Sequence, residues 1–148
     1  MRIPPPFYFI ASMILAVSLG AYVPLPITLV HEGISSFIGN FLMVLAIVLA
    51  ILSQRQLRQA RTGQLPGTPA VSLVTTGPYS FSRNPIYLAW AIFQFGLGIW
   101  LRNAWIVVLL VPAIFLVNVL AIIPEERYLQ DEFEQSFLDY RSRVRRWL

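Results

Sequence analysis

Four long apolar runs without a charged residue constrain this chain more than any other feature: residues 7–23, 34–52, 86–101 and 104–123. A helix that crosses a bilayer needs ~20 mostly apolar residues, with a range of about 17–25. Three runs lie in that range, and the 86–101 run falls just short and can be extended at its ends. The apolar fraction is 57% and the charged fraction 12%, against about 45–50% and about 25% for a soluble domain. One domain is expected for the 148 residues, spanning 1–148. The predicted fold is all-α: an integral membrane bundle of four transmembrane helices with a C-terminal amphipathic helix.

The chain has no cysteine, which excludes disulfides, thiolate nucleophiles and iron–sulfur sites. Its single histidine, His31, stands in no ligand-like spacing, so no metal site is expected. The net charge of +4 comes entirely from arginine on the basic side. The arginines flank apolar spans rather than forming a soluble basic face, which points to membrane topology and anionic headgroups, not nucleic acid. Arg2 before the first apolar run is also a signal-peptide feature. No clear small-residue cleavage site follows, however, and Pro24 and Pro26 close the segment, so a retained first helix is expected.

The first helix is predicted over 6–23 and the second over 34–60, with a short loop carrying His31, Glu32 and Gly33 between them. The connection over 61–84 holds Gly63, Pro66, Gly67, Pro69, Gly77 and Pro78. A loop of that length in so short a chain is a functional candidate. The third helix starts at Pro85, a favourable first-turn position. The fourth follows the turn at Arg102 and Asn103 and is predicted to end near Pro124. In the tail, Leu129, Phe133, Phe137, Tyr140, Val144 and Trp147 recur every three or four residues, with Asp131, Glu134, Arg141 and Arg145 opposite. That is one face of an amphipathic helix, lying on the membrane surface or capping the bundle.

The last two helices form a hairpin, so residues equidistant from its turn share a depth. Tyr87 and Asn118 each lie about fifteen positions from the turn, or roughly 23 Å at a ~1.5 Å rise. Glu125 and Glu126 come slightly later, level with the segment from Gly77 to Asn84. Each motif also has a plain structural reading. Gly77-Pro78-Tyr79 suits a turn, Arg83 a topology anchor, Tyr87 an interfacial aromatic, and Glu125-Glu126 the solvated end of a helix. Asn118 and the deeper Gln94 suit interhelical hydrogen bonding, and a polar ligand is the alternative for Asn118. Adjacent glutamates at a membrane edge need positive partners, which Arg83 or a bound cation can supply.

The combined pattern is more specific. The run from Gly77-Pro78-Tyr79 through Arg83-Asn84-Pro85-Ile86-Tyr87, then two hydrophobic spans, then Glu125-Glu126-Arg127-Tyr128-Leu129, resembles the isoprenylcysteine carboxyl methyltransferase family and its phospholipid methyltransferase relatives. Phe133, Tyr140, Val144, Arg146 and Trp147 match the family's tail in register, and Gly67-Thr68 its lead-in, so the resemblance is firm over 62–148. The chain departs from that pattern at four positions. Asn84 replaces the usual histidine, Glu134 stands where glycine is common, and Phe137 takes the place of a tail tyrosine. Ala121 stands where enzymes acting on isoprenylcysteine have a carboxylate-binding arginine.

The resemblance implies methyl transfer from S-adenosyl-L-methionine to a lipophilic small-molecule or lipid-modified acceptor. Carboxyl O-methylation leads, with phospholipid N-methylation and a non-catalytic lipid-binding scaffold as alternatives. It implies catalytic roles for Arg83, Glu125 and Glu126. It also implies a cofactor site of Gly77, Pro78, Tyr79, Asn84, Pro85, Tyr87, Asn118, Glu125, Glu126 and Tyr128. The setting it implies is the bacterial inner membrane. With the N-terminus cytoplasmic, every arginine except Arg102 falls on the cytoplasmic side, as the positive-inside rule requires. Reporter fusions at both termini are therefore expected to report the cytoplasm. Termini on opposite faces would contradict four spans.

Overall fold

The computed structural model describes residues 4–28, 31–60 and 72–148. Arg2, the loop segment 61–71 and the Gly67-Thr68 lead-in lie outside the described residues. The helices are α1 (Pro6–Tyr22), α2 (Glu32–Gln59), α3 (Pro85–Trp100), α4 (Ala104–Val108), α5 (Leu110–Val117) and α6 (Ile123–Arg143). A 3-10 turn, Gly77–Ser80, precedes α3, and a π turn, Asn118–Ile122, joins α5 to α6. Among the described residues there is no strand, as the apolar runs predict.

The sequence placed the end of the fourth helix near Pro124, and the structure corrects that. The rod continues through Pro124 as one bent helix, Ala104–Arg143. Proline removes an N–H donor and crowds the carbonyl four residues back. Pro112 has no N–H for the Val108 carbonyl, and the rod breaks at Leu109. Before Pro124 the helix widens instead, with Ile123 donating to the Asn118 carbonyl across a π turn. The helix therefore bends rather than stops.

α3 contacts both α1 and α2. Where α2 meets α3, Gly39 and Gly96 face each other. A Cβ on Gly39 would lie 2.7 Å from the Gly96 carbonyl, and one on Gly96 3.0 Å from the Gly39 carbonyl. Small residues of this kind let backbones in an apolar setting approach closely enough for dispersion to hold them. α1 packs on α3, α4 and α5 around Phe9, Ala91, Ala113, Val117 and Ile122. Gln94, fully buried, accepts from Ser12 Oγ at 2.9 Å and donates to the Ile106 carbonyl at 3.0 Å. It ties three helices together, which is its structural reading.

At the 102–103 turn, Arg102 adopts φ 52° and pairs with Glu32, while Asn103 caps α4. His31 caps α2, accepting from the Gly33 N–H at 3.3 Å. The Ile27 N–H donates to Arg102 O and the Ala104 N–H to Leu25 O, both at 2.9 Å, which ties the α1–α2 loop to the hairpin turn.

The outward faces are apolar, with Phe37, Phe41 and Val44 on α2 and Val111 and Phe115 on α5 exposed. α2 and the Ala104–Arg143 rod are long and apolar enough to cross a bilayer, and α1 and α3 are shorter apolar helices. Only 17% and 28% of the most apolar stretches of the two long helices are buried inside the protein. A soluble core helix would be mostly buried; these faces suit lipid.

The tail keeps its predicted faces, although α6 ends at Arg143, and Val144, Arg145 and Trp147 lie in the non-helical segment beyond it. Phe137 and Tyr140 are buried, Leu129, Phe133, Val144 and Trp147 are half-buried, and Asp131, Glu134, Arg141 and Arg145 are exposed. It is kinked at Glu134, however, where φ is 42° and ψ −118°. A side chain is strained there, and this is the position where the resembling family commonly has glycine. Glu134→Gly is expected to raise stability by about 1 kcal/mol, the strain relieved less glycine's added chain entropy. A thermal midpoint in detergent that is unchanged or lower would contradict this.

Candidate functional site

The site is assembled where the loop before α3, the start of α6 and the C-terminal strap after Arg143 meet. Gly77 opens the loop at φ 62°, a conformation glycine adopts without cost. A Cβ there would meet the Gln56 side chain at 3.3 Å, and Gln56 donates to Thr76 Oγ1, so the end of α2 supports the loop. Pro78 and Tyr79 are buried in the 3-10 turn. Asn84, at φ −130° and ψ 55°, stays out of the helical region, as a residue before proline does. Pro85 then begins α3.

Two adjacent glutamates turn to different partners. Glu126, buried, accepts from Arg83 Nη2 at 2.9 Å on Oε1. Arg146 grips both its oxygens, with Nε to Oε1 at 3.1 Å and Nη2 to Oε2 at 2.6 Å. That is a bidentate fork, the strongest pairing a carboxylate makes with a side chain. Arg146 also donates from Nη1 to Asn118 Oδ1 at 3.3 Å. Glu125 instead accepts on Oε2 from Tyr87 Oη at 3.0 Å.

The strap is held by its backbone as well. The Arg83 N–H donates to Arg145 O at 3.0 Å, and Asn84 Nδ2 donates to Arg146 O at 3.0 Å. Ser82 Oγ lies 3.5 Å from that same carbonyl. Tyr140 Oη donates to the Tyr79 carbonyl at 2.6 Å, which pins the 3-10 turn to α6. Trp147 packs against the core cluster, as Tyr87 and Trp90 do.

Burial and charge set the electrostatics. Burial pushes the Glu125 carboxyl up, opposed by the Tyr87 hydrogen bond and reinforced by the neighbouring Glu126 charge. Burial and the Glu125 charge also raise the Tyr79 phenol, so a carboxylate and two phenols share one neighbourhood. Burial pushes the Tyr140 phenol up to about 12. The Arg83 guanidinium is lowered by burial, which outweighs Glu126, whereas Arg146 is raised chiefly by its hydrogen bonds to Glu126. Arg83 Nε is buried with no hydrogen-bond partner among the described residues. An unpaired guanidinium N–H in such a place is a donor available to a ligand or to water.

Of the residues singled out from sequence, Tyr79, Arg83, Asn84, Pro85, Tyr87, Asn118, Glu125 and Glu126 come together. Gly77 and Pro78 shape the turn. Tyr128 is exposed on α6. Sequence reasoning missed Arg146, Tyr140 and Ser82 as parts of the site. Arg146 and Tyr140 matched the family's tail pattern, but Arg146 stands in an arginine-rich run that also reads as a topology signal. Nothing in the sequence singled out Ser82.

A helical bundle with apolar outer faces and a buried ion-pair cluster at one rim defines a membrane protein with a polar site at its edge. The phospholipid methyltransferase family model matches residues 34–136, well over half the chain, and the protein belongs to that family. Membership implies a membrane-associated methyltransferase that works on lipid substrates. The match includes the loop before α3 and both glutamates, and it stops short of Tyr140 and Arg146. No curated protein and no solved structure matches the chain.

Tyr140→Phe is expected to cost about 1–3 kcal/mol, because the buried Tyr79 carbonyl loses its donor and nothing replaces it. The thermal midpoint should fall accordingly. A midpoint equal to that of the wild type would mean the turn is held by other contacts.

Proposed function

We propose that the protein is an S-adenosyl-L-methionine-dependent methyltransferase of four spans, with both termini in the cytoplasm of a bacterial cell and a lipophilic acceptor drawn from the inner membrane. The observation that supports this most is the separation of charge within a family-matched site. A half-buried carboxylate, Glu125, stands beside Tyr79 and Tyr87, and Arg83 with its buried, unpartnered Nε lies close by.

The donor set fits the cofactor's chemistry. S-adenosyl-L-methionine carries a sulfonium, an amino group and a carboxylate, besides ribose and adenine. Glu125 would hold its cationic part, with Tyr79 and Tyr87 giving aromatic faces and hydroxyls. Arg83 would hold its carboxylate through Nε, while Nη2 keeps Glu126. Bound there, the cofactor supplies an electrophilic methyl group. The protein's own contribution is alignment of a soluble and a lipid-borne reactant and exclusion of water, which can supply on the order of 7–11 kcal/mol.

Two acceptors suit this site. A carboxylate is already a nucleophile and needs only a cationic partner, as the resemblance to isoprenylcysteine carboxyl methyltransferases implies. The protein's features favour an amine-bearing phospholipid instead. Arg83 and Arg146 are both committed to Glu126, and Ala121 offers no third cation. A neutral amine is itself the nucleophile and needs no cationic partner, so Glu125 would stay with the cofactor.

Purified protein incubated with native lipid and methyl-labelled S-adenosyl-L-methionine is expected to label a lipid. Label stable to base indicates N-methylation, and base-labile label an ester. In calorimetry Glu125→Gln is expected to weaken cofactor binding by about 1.5–3 kcal/mol, the worth of a charge-assisted hydrogen bond. Unchanged affinity would refute the assignment of Glu125 to the cofactor.

A further inference from the structure

Arg146, in the strap beyond the family-matched segment, has more ties to the site than its position near the chain's end leads one to expect. Its guanidinium spans both oxygens of Glu126 and reaches Asn118 in the π turn. Its carbonyl accepts from Asn84 at 3.0 Å. It therefore touches every element of the site: the loop before α3, the π turn and the start of α6. We infer that Arg146 is the positioning residue of the methyl-transfer site, setting Arg83 by fixing the Glu126 carboxylate that Arg83 is paired with. The inference rests on the methyltransferase reading above.

Arg83 alone meets Glu126 through one short contact, Nη2 to Oε1, and a single contact leaves a carboxylate free to rotate about its last bond. The Arg146 fork fixes both oxygens and so fixes the carboxylate plane. With Nη2 anchored on a fixed oxygen and Nη1 donating to the Arg141 carbonyl at 3.4 Å, the Arg83 guanidinium is held in one orientation, and with it the unpartnered Nε. The same fork commits Glu126 to its two arginines, so of the adjacent pair only Glu125 remains directed to Tyr87. Arg146 needs no contact with cofactor or acceptor for this role.

The test compares Arg146→Gln and Arg146→Lys with the wild type in the full chain, in detergent with native lipid. Turnover, cofactor affinity and thermal midpoint are read in parallel. Arg146→Gln is expected to lower turnover by roughly ten- to a hundredfold, the usual penalty for misplaced groups, with weaker cofactor binding. Arg146→Lys keeps the charge without the fork and should recover only part of the loss. Millimolar guanidinium added to Arg146→Ala should restore part of its turnover, an effect that a merely unstable variant would not show.

Turnover of Arg146→Gln within about twofold of wild type would overturn the inference, since misplacement at a site costs far more. So would turnover losses that follow the thermal midpoint alone, with no recovery by lysine or guanidinium. A wild-type protein that binds cofactor and labels no lipid would overturn the methyltransferase reading itself, and the positioning role with it.

Discussion

The ion pairs around Glu126 are the interaction on which the site depends. A carboxylate removed from water is costly unless its partners and hydrogen bonds are nearly complete. Here Arg83 and Arg146 complete it, and each arginine brings an element with it. Arg83 carries the loop before α3, tied by its own N–H to Arg145. Arg146 carries the strap, tied by its carbonyl to Asn84. The charge arrangement and the chain path thus require each other, and loss of either arginine leaves the buried carboxylate only partly compensated.

The rest of the fold serves to bring those partners to one rim. The Gly39–Gly96 contact seats α3 against α2, and α2 in turn supports the Gly77 turn through Gln56. Gln94 locks α1 and α4 to α3 deep in the bundle. The hairpin turn at Arg102 is tied down at the opposite end. The rim that gathers these partners is therefore braced by the rest of the bundle, which would suit the proposed reaction, whose main demand is alignment.

Much of this was legible in the sequence because it depends on depth and period. The apolar runs marked the helices, the hairpin arithmetic placed Tyr87 level with Asn118 and the glutamates level with the loop before α3, and the three- to four-residue recurrence marked the buried face of the tail. Direction around the helix was not legible. A π turn before Pro124 adds a residue to one turn, so everything after it is rotated relative to an ideal helix. That rotation sets which partners the first turn of α6 faces, and the ~100° between neighbouring helical residues then sends Glu125 to Tyr87 and Glu126 to the arginines. Arg146 was hidden for another reason. A basic residue in a basic tail also serves topology, and only the folded strap shows it spanning a single carboxylate.

The central claim is that the cofactor binds at this rim, between Glu125 and Arg83. Hydrogen exchange read by mass spectrometry, with and without S-adenosyl-L-methionine, tests it most directly. The account predicts slowed exchange in the loop before α3, the first turn of α6 and the C-terminal strap, with the Arg102 turn unchanged. Protection confined to the opposite end of the bundle, or no protection at saturating cofactor, would contradict it.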